Sequence, residues 1–329
     1  METTMHLLRQ PKHLLFILLF FVVACTKEAT TKTTTLSVQE QITQSILFKN
    51  RDAQQQLSKL SLSDLTTEIQ KTRSLHTNDL SQSYTITLQS SPTTPLSNKE
   101  SWQLGTHIPV QHPDSTYPLI IYLHGGINTT RADKGKESYT MMSFLYDSIP
   151  CFVASPSGNR NARWWEPRGI ERILFTLRFM LLNYPIDPQR IILAGVSDGG
   201  TATFALASLP NSPFSDYWAI SGFPPLLPQL GVDLNIELLK KRSFYMANGG
   251  NDRLYPTEQI QQFVTQAQNA GISIDFSFYP KAEHGFDYKA QEFSKLAQRI
   301  TTIRAQSLPP ITTTHELFNS LNRTNLLSF

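Results

Sequence analysis

The stretch RIILAGVSDGGTATFALA, residues 190–207, contains the residues that decide the fold. It begins with an apolar run typical of a buried β-strand, passes through a glycine-rich turn and ends in small and apolar residues suited to a packed helix. The turn contains the pattern G-x-S-x-G with Ser197 at its centre. Because so short a pattern also arises by chance, it predicts a nucleophile only if the rest of the chain supplies a base, an acid and an oxyanion site.

Short apolar runs alternate with helical patterns from about residue 80 onward. YTITL and WQLGTHIPV predict an opening antiparallel pair of strands, and later runs such as PLIIYLHGG, SFYMANGG and ISIDFSFYP predict buried strands. Several segments between the runs place apolar residues on one face at helical spacing, most clearly from Ile170 to Met180. This alternation predicts an α/β fold, with a mostly parallel central sheet and helices on both of its faces.

Four motifs in combination resemble the α/β-hydrolase superfamily: IDPQRIILAGVSDGG, PLIIYLHGG, GGNDRLYP and EHGF. The most similar groups are the serine esterases of the phospholipase/carboxylesterase, dienelactone hydrolase and polyhydroxybutyrate depolymerase types. The resemblance covers roughly residues 80–305 and implies the α/β-hydrolase fold, with catalytic residues in the chain order Ser, Asp or Glu, His. The connection at residues 223–242 is short, so no large lid domain is expected.

That chain order leaves two of the eight histidines as candidates for the base, because only His284 and His315 follow Ser197. His284 follows a predicted strand, whereas His315 lies beyond the last predicted helix, so we predict His284 as the base. The predicted acid is Asp252, which directly follows a strand end and could fix the imidazole. The alternatives are a surface-loop histidine and a plain turn aspartate.

Backbone N–H groups are expected to form the oxyanion site. The resemblance implies the amide after the nucleophile, at Asp198, and one in the loop LHGGIN, at Gly126. Gly125 would let the backbone approach a reacting carbonyl closely, although a glycine pair is also compatible with a simple turn. The carboxylate of Asp198 fits less well, because it adds negative charge beside an oxygen that must itself become negative.

The segment GNRNARWWEPRG follows the fourth predicted strand, at the edge of the sheet where the catalytic residues are expected. Its two aromatic residues, Trp164 and Trp165, are candidates for an aromatic wall against a phenolic or sugar-linked ester. They are equally compatible with packing the loop against the protein.

Residues 1–24 predict a lipoprotein signal peptide. The apolar run from Leu14 to Ala24 has eleven residues, too few for a membrane-spanning helix, which needs about 20. The sequence VVAC resembles the lipobox of bacterial lipoproteins, which implies cleavage before Cys25 and lipidation of that residue; an ordinary signal peptide is the alternative. The expected location is the bacterial cell envelope, in the outer membrane or a periplasm-facing membrane, with the lipid anchor at Cys25 as the membrane contact.

Five segments are expected along the chain of 329 residues. After the signal peptide they are the lipidated cysteine with a Thr-rich tether at 25–35, a helical extension at 36–79, the catalytic domain at 80–305 and a tail at 306–329.

The net charge of +3 is too small to indicate a nucleic-acid partner. The two cysteines lie far apart and no His-x-x-x-His pair occurs, so no metal cluster is expected, and acyl transfer by a serine needs neither a metal nor a cofactor. The predicted function is a serine carboxylesterase that acts through an acyl-enzyme on a small or polymer-linked ester. The alternatives are a serine peptidase of the same fold and a catalytically inactive lipoprotein that binds a ligand.

Overall fold

The structure is a computed structural model that describes residues 36–73, 75–88, 100–303 and 312–322. The predicted signal peptide, the lipidation site and the tether lie outside these residues. Among the residues described, no helix has the length and apolar character needed to span a bilayer.

Eight strands form one sheet in the order β1-β2-β4-β3-β5-β6-β7-β8. Their bounds are β1 Leu80–Leu88, β2 Glu100–Ile108, β3 Tyr117–Leu123, β4 Phe152–Pro156, β5 Ile186–Val196, β6 Asp216–Ile220, β7 Ser243–Gly249 and β8 Ser273–Tyr279.

The sheet is antiparallel at one end and parallel through the rest. β1 pairs with β2 and β2 with β4 in antiparallel fashion, whereas every other pairing is parallel. All residues of β3, β4 and β6 are buried, and an apolar cluster covers each face of the sheet. These strands are mostly apolar because helices cover both faces of the sheet, and the two exceptions, Ser155 in β4 and Asp216 in β6, are buried as well. The predicted α/β fold and its opening antiparallel pair are confirmed.

The helices pack on the two faces of the sheet. Their bounds are α1 Val38–Phe48, α2 Arg51–Leu57, α3 Leu62–Thr72, α4 Gly135–Ser138, α5 Ser143–Tyr146, α6 Pro167–Asn183, α7 Asp198–Ala207, α8 Leu226–Gln229, α9 Ile236–Leu239, α10 Thr257–Asn269, α11 Lys289–Thr302 and α12 Thr314–Asn322. A 3-10 turn, Tyr139–Met142, separates α4 from α5.

Helix α6 joins the N-terminal helices to the sheet. α1, α3 and α12 all contact it, and Ile46 and Leu65 are fully buried within the core cluster that includes one face of the sheet. The segment predicted as a helical extension therefore shares the main core. The segment predicted as a tail contains α12, whose Phe318 and Leu321 are buried.

The carboxyl ends of parallel strands meet at one edge of a sheet. The segments that follow β3, β5, β7 and β8 lie at that edge, and they contain Gly126, Ser197, Asp252 and His284 respectively. The topology therefore gathers residues from four distant parts of the chain. Between β6 and β7 the connection contains only the one-turn helices α8 and α9, so no large lid domain is present in that connection.

Candidate active site

Ser197 occupies a sharp turn between β5 and α7. Its φ of 57° and ψ of −119° lie in a region that a residue with a side chain rarely adopts. The neighbouring glycines make this turn possible. A Cβ on Gly195 would lie 2.4 Å from the Gly199 carbonyl carbon, and a Cβ on Gly199 would lie 2.0 Å from the Leu123 carbonyl oxygen. The turn projects the serine hydroxyl beyond the end of the sheet.

Ser197, His284 and Asp252 form a continuous chain of hydrogen bonds. His284 Nε2 lies 2.9 Å from Ser197 Oγ, and His284 Nδ1 lies 2.7 Å from Asp252 Oδ2. A carboxylate can only accept, so Nδ1 carries the proton and Nε2 is free to accept from the serine hydroxyl. The Asp252 side chain is fully buried, whereas the His284 side chain is 20% exposed. The structure thus brings together the three residues that the sequence predicts as nucleophile, base and acid.

The two oxygens of Asp252 have separate partners. Oδ2 faces His284, while Oδ1 accepts from the N–H groups of Leu254, at 2.8 Å, and Tyr255, at 3.0 Å. The backbone bonds hold the carboxylate in one orientation, so the oxygen that faces the imidazole cannot rotate away from it.

Ser221 holds the loop that carries His284. Its hydroxyl donates to the Gly285 carbonyl at 2.5 Å and accepts from the Gly285 N–H at 3.2 Å. Ser221 directly follows β6 and has a positive φ of 44°. Sequence reasoning misses this residue, because 64 positions separate it from its partner and no motif connects the two.

Tyr255 is a second residue that sequence reasoning misses. Its ring meets the His284 ring edge-on at 5.1 Å and stacks on Phe223 at the same centroid distance. Burial raises the pKa of the Tyr255 hydroxyl, and the hydroxyls of Ser197 and Thr201 beside it oppose that effect. The tyrosine therefore lies beside the nucleophile. Its signal in the sequence is its place in the motif GGNDRLYP, three residues after the acid.

The predicted oxyanion loop lies against the nucleophile. A Cβ on Gly125 would be 2.8 Å from Ser197 Cβ and 3.4 Å from its Oγ, so only glycine allows this approach. Gly126 follows with a φ of 64°. Among the hydrogen bonds of the described residues, the N–H groups of Gly126 and Asp198 have no partner. Both predicted donors are thus available to a developing oxyanion.

His124 fixes the oxyanion loop through hydrogen bonds of both ring nitrogens to backbone groups. Its Nε2 accepts from the Gly158 N–H at 3.0 Å, so Nδ1 carries the proton and donates to the Gly125 carbonyl at 2.9 Å. Burial, aided by the charges of Lys134 and Arg172 and opposed by the hydrogen bond to the Gly125 carbonyl, lowers the pKa of His124 to about 4. The ring is therefore neutral near neutral pH and has a structural role.

Of the two roles that the sequence leaves open for Trp164, the structure excludes the substrate wall and supports packing of the loop. This side chain is fully buried, and its Nε1 donates to the His124 carbonyl at 2.9 Å. Its ring packs so closely on Gly158 that a Cβ there would lie 2.5 Å from it. Trp164 therefore packs the loop against the protein, beneath the oxyanion loop.

Trp165 is half-buried against the core and stays a candidate for contact with substrate. The same loop borders a surface cleft of about 500 Å³, lined by Asn161, Glu166, Pro167 and Arg168.

Residues 161–306 match the dienelactone hydrolase family. Over 137 residues the chain is 26% identical to a poly(3-hydroxyalkanoate) depolymerase C from Paucimonas lemoignei. That match covers 39% of this chain and 33% of the depolymerase, so the chain spans about a third of the relative's length.

Solved structures share the fold at low sequence identity. An S-formylglutathione hydrolase from Staphylococcus aureus superposes with a TM-score of 0.51 and 15% identity, covering 70% of this chain and 100% of that one. An acylaminoacyl peptidase from Pyrococcus horikoshii gives 0.51 and 13%, covering 72% of this chain and 44% of that one. Such likeness shows a common architecture, whereas the reaction has to be argued from the site. The chain therefore has the α/β-hydrolase fold, and residues 161–306 of it are similar to the dienelactone hydrolase family.

Proposed function

We propose that this protein is a serine carboxylesterase that forms an acyl-enzyme on Ser197. The observation that supports this most is the unbroken hydrogen-bonded chain from Ser197 through His284 to the buried Asp252. The matches to the dienelactone hydrolase family and to a poly(3-hydroxyalkanoate) depolymerase favour an ester over a peptide substrate, because lactones and polyhydroxyalkanoates are esters.

In the first half-reaction, Ser197 Oγ attacks the ester carbonyl while His284 Nε2 takes the hydroxyl proton. Asp252 stabilises the imidazolium that forms. The carbonyl oxygen becomes negative in the tetrahedral intermediate and accepts from the N–H groups of Gly126 and Asp198. When the intermediate collapses, the bond to the leaving oxygen breaks, His284 gives its proton to that oxygen, and an alcohol departs.

In the second half-reaction, water attacks the acyl-enzyme. His284 Nε2 takes a proton from the water as its oxygen bonds to the acyl carbon, and the same two N–H groups receive the new oxyanion. The bond to Ser197 Oγ then breaks, and His284 returns the proton to that oxygen. The products are a carboxylic acid and free enzyme, so no external oxidant or reductant is required.

Hydrolysis of p-nitrophenyl acetate, butyrate and octanoate tests this proposal. Ser197→Ala is expected to lower kcat by about 10⁴- to 10⁶-fold, because only binding and oxyanion stabilisation would be left. The matched control is Ser63→Ala, which changes an exposed serine on α3 and should leave the rate unaltered. Equal, near-background rates for the wild type and Ser197→Ala would reject the proposal. Cleavage of aminoacyl p-nitroanilides with no ester hydrolysis would instead indicate a peptidase.

We further propose that Cys25 is lipidated and anchors the protein in the bacterial cell envelope. The support is the sequence VVAC at the end of an eleven-residue apolar run. In cells fed a clickable palmitate, the wild type is expected to be labelled and to sediment with membranes, whereas Cys25→Ser should be unlabelled and soluble. Cys151→Ala is the control for labelling at a free thiol, because Cys151 is fully buried. Unlabelled, soluble wild-type protein would contradict this proposal.

A further inference from the structure

We propose that Lys134 and Asp198 clamp the peptide group between Gly126 and Ile127 and so position the oxyanion donor. Lys134 Nζ donates to the Gly126 carbonyl at 2.8 Å, and Asp198 Oδ2 accepts from the Ile127 N–H at 2.9 Å. That carbonyl and that N–H belong to the same peptide group. A cation therefore holds its oxygen end and an anion holds its N–H end.

The clamp is needed because a glycine at position 126 does not by itself restrict the backbone to one conformation. Glycine adopts left-handed and right-handed backbone angles with similar ease, and Gly126 has a φ of 64°. Rotation of the Gly126–Ile127 peptide would be the simplest way for this loop to relax. Two charge-assisted hydrogen bonds, one at each end of the peptide, oppose that rotation. They keep the preceding N–H, the proposed donor, facing the nucleophile.

Lys134 also acts on the donor peptide itself. Its Nζ lies 3.3 Å from the Gly125 carbonyl, which accepts in addition from His124 Nδ1 at 2.9 Å. The Gly125 carbonyl and the Gly126 N–H are the two ends of one peptide group. Donors to the carbonyl polarise that group and strengthen its N–H as a donor, since linked hydrogen bonds reinforce one another.

The same arrangement explains how the Asp198 carboxylate can support the oxyanion site instead of only opposing it. The sequence places this negative charge next to the nucleophile, where it would oppose an oxyanion. One of its oxygens is bound to the Ile127 N–H, and the positive charge of Lys134 lies across the same peptide. The carboxylate thus fixes the loop while its charge is partly offset. A Cβ on Gly126 would lie 2.7 Å from Lys134 Nζ, so a side chain there would displace the lysine ammonium from the Gly126 carbonyl.

Variants that break each half of the clamp test this inference, which rests on the proposed esterase function for its kinetic part. Lys134→Met and Asp198→Ala remove the two halves singly and together. Lys134→Arg keeps a cationic donor and Asp198→Asn keeps an acceptor, so both should retain most activity. Lys241→Met is the matched control, because that lysine is exposed between α9 and β7.

Three readouts are measured on each variant: kcat and KM for p-nitrophenyl acetate, the Kd of benzeneboronic acid, and the hydrogen-exchange rate of the Ile127 amide. The boronic acid forms a tetrahedral adduct on a nucleophilic serine and reports the oxyanion site. Removal of an oxyanion donor typically costs about 10²- to 10³-fold in kcat. If the donor is still present but no longer held in position, the loss in kcat should be smaller, about 10- to 100-fold.

We expect Lys134→Met and Asp198→Ala to lower kcat and boronate affinity together, with KM within about threefold of the wild type. The double variant should lose less than the product of the two single losses, because both act on one peptide. Ile127 amide exchange should accelerate in Asp198→Ala and return towards the wild-type rate in Asp198→Asn.

Wild-type kcat and boronate affinity in both single variants would overturn the inference, as would unaltered Ile127 exchange in Asp198→Ala. If the wild type hydrolyses no ester, the proposed function fails, and Ile127 exchange still decides whether the clamp exists. If Asp198→Ala does not fold, Lys134→Met and Asp198→Asn supply the comparison.

Discussion

At the scale of single residues, His124 and His284 show how similar imidazoles acquire different roles. His124 bonds only to backbone groups and is buried, so its neutral form is favoured. His284 lies between a hydroxyl and a carboxylate, partners that suit an imidazole which gains and loses a proton. Chain order pointed to His284 from the sequence. Tyr255 could not be found in that way, because its closeness to His284 depends on a turn that only the structure shows.

The first residue-scale prediction concerns pH. Burial lowers the pKa of His124 to about 4, whereas an unfolded histidine titrates near about 6.5. Between these values the unfolded chain binds the proton more readily, so the free energy of unfolding should fall as pH drops from about 6.5 to about 4. Between pH 7 and pH 4.5, the free energy of unfolding measured with urea should fall less for His124→Gln than for the wild type. An equal loss in both proteins would count against this account.

A second residue-scale prediction concerns Tyr255. Because its ring lies against His284 and close to Ser197, it occupies space that a long acyl chain could use. Tyr255→Val should raise the ratio of kcat/KM for octanoate to that for acetate by about tenfold, the order expected when a hydrophobic pocket changes size. Leu254→Val, at an exposed neighbour, is the control. An unaltered ratio in Tyr255→Val would show that the acyl chain lies elsewhere.

At the scale of elements, the turn from β5 to α7 was predictable because its requirements are local. A strand, a strained serine and flanking glycines all occur within a few residues of sequence. The loop after β4 was not predictable in the same way. The sequence leaves Trp164 open between a substrate wall and packing of the loop. It is buried because His124 and Gly158, from other parts of the chain, pack around it.

Gly199→Ala tests the packing of this turn. Its Cβ would meet the Leu123 carbonyl at 2.0 Å, so strand β3 or helix α7 must shift. Gly231→Ala is the comparison, because that glycine has a φ of 75° with open space around it and should cost about 1–2 kcal/mol from backbone strain alone. Chemical denaturation should show a larger decrease in the free energy of unfolding for Gly199→Ala than for Gly231→Ala. A loss no greater than that of Gly231→Ala would refute this view of the turn.

At the scale of the whole molecule, residues far apart in sequence complete one core. The capping residue Ser61 and the apolar spacing after it predicted α3, but no local pattern could predict that α1, α3 and α12 meet on α6. The buried Arg178 of α6 binds Glu171 at 2.5 Å and reaches towards the Leu47 carbonyl at 3.5 Å. Such contacts depend on the complete fold.

Truncation tests this arrangement. The reference is a chain that begins at residue 26, which keeps α1 to α3. A chain that begins at residue 80 would expose the apolar surface of α6 that Ile46 and Leu65 cover. We expect it to have a much lower Tm and to bind a hydrophobic dye. An unaltered Tm would mean that these helices add nothing to the core.

Reaction with a fluorophosphonate, which phosphonylates activated serines, shows whether Ser197 is a nucleophile activated by His284. The full chain would be treated, digested with trypsin and analysed by mass spectrometry. We predict one phosphonyl adduct on Ser197 in the peptide 191–240, no adduct in Ser197→Ala, and strongly slowed labelling in His284→Ala. An unlabelled Ser197 in the folded wild type, or a label on Ser221 of the same peptide, would mean that Ser197 is not the activated nucleophile.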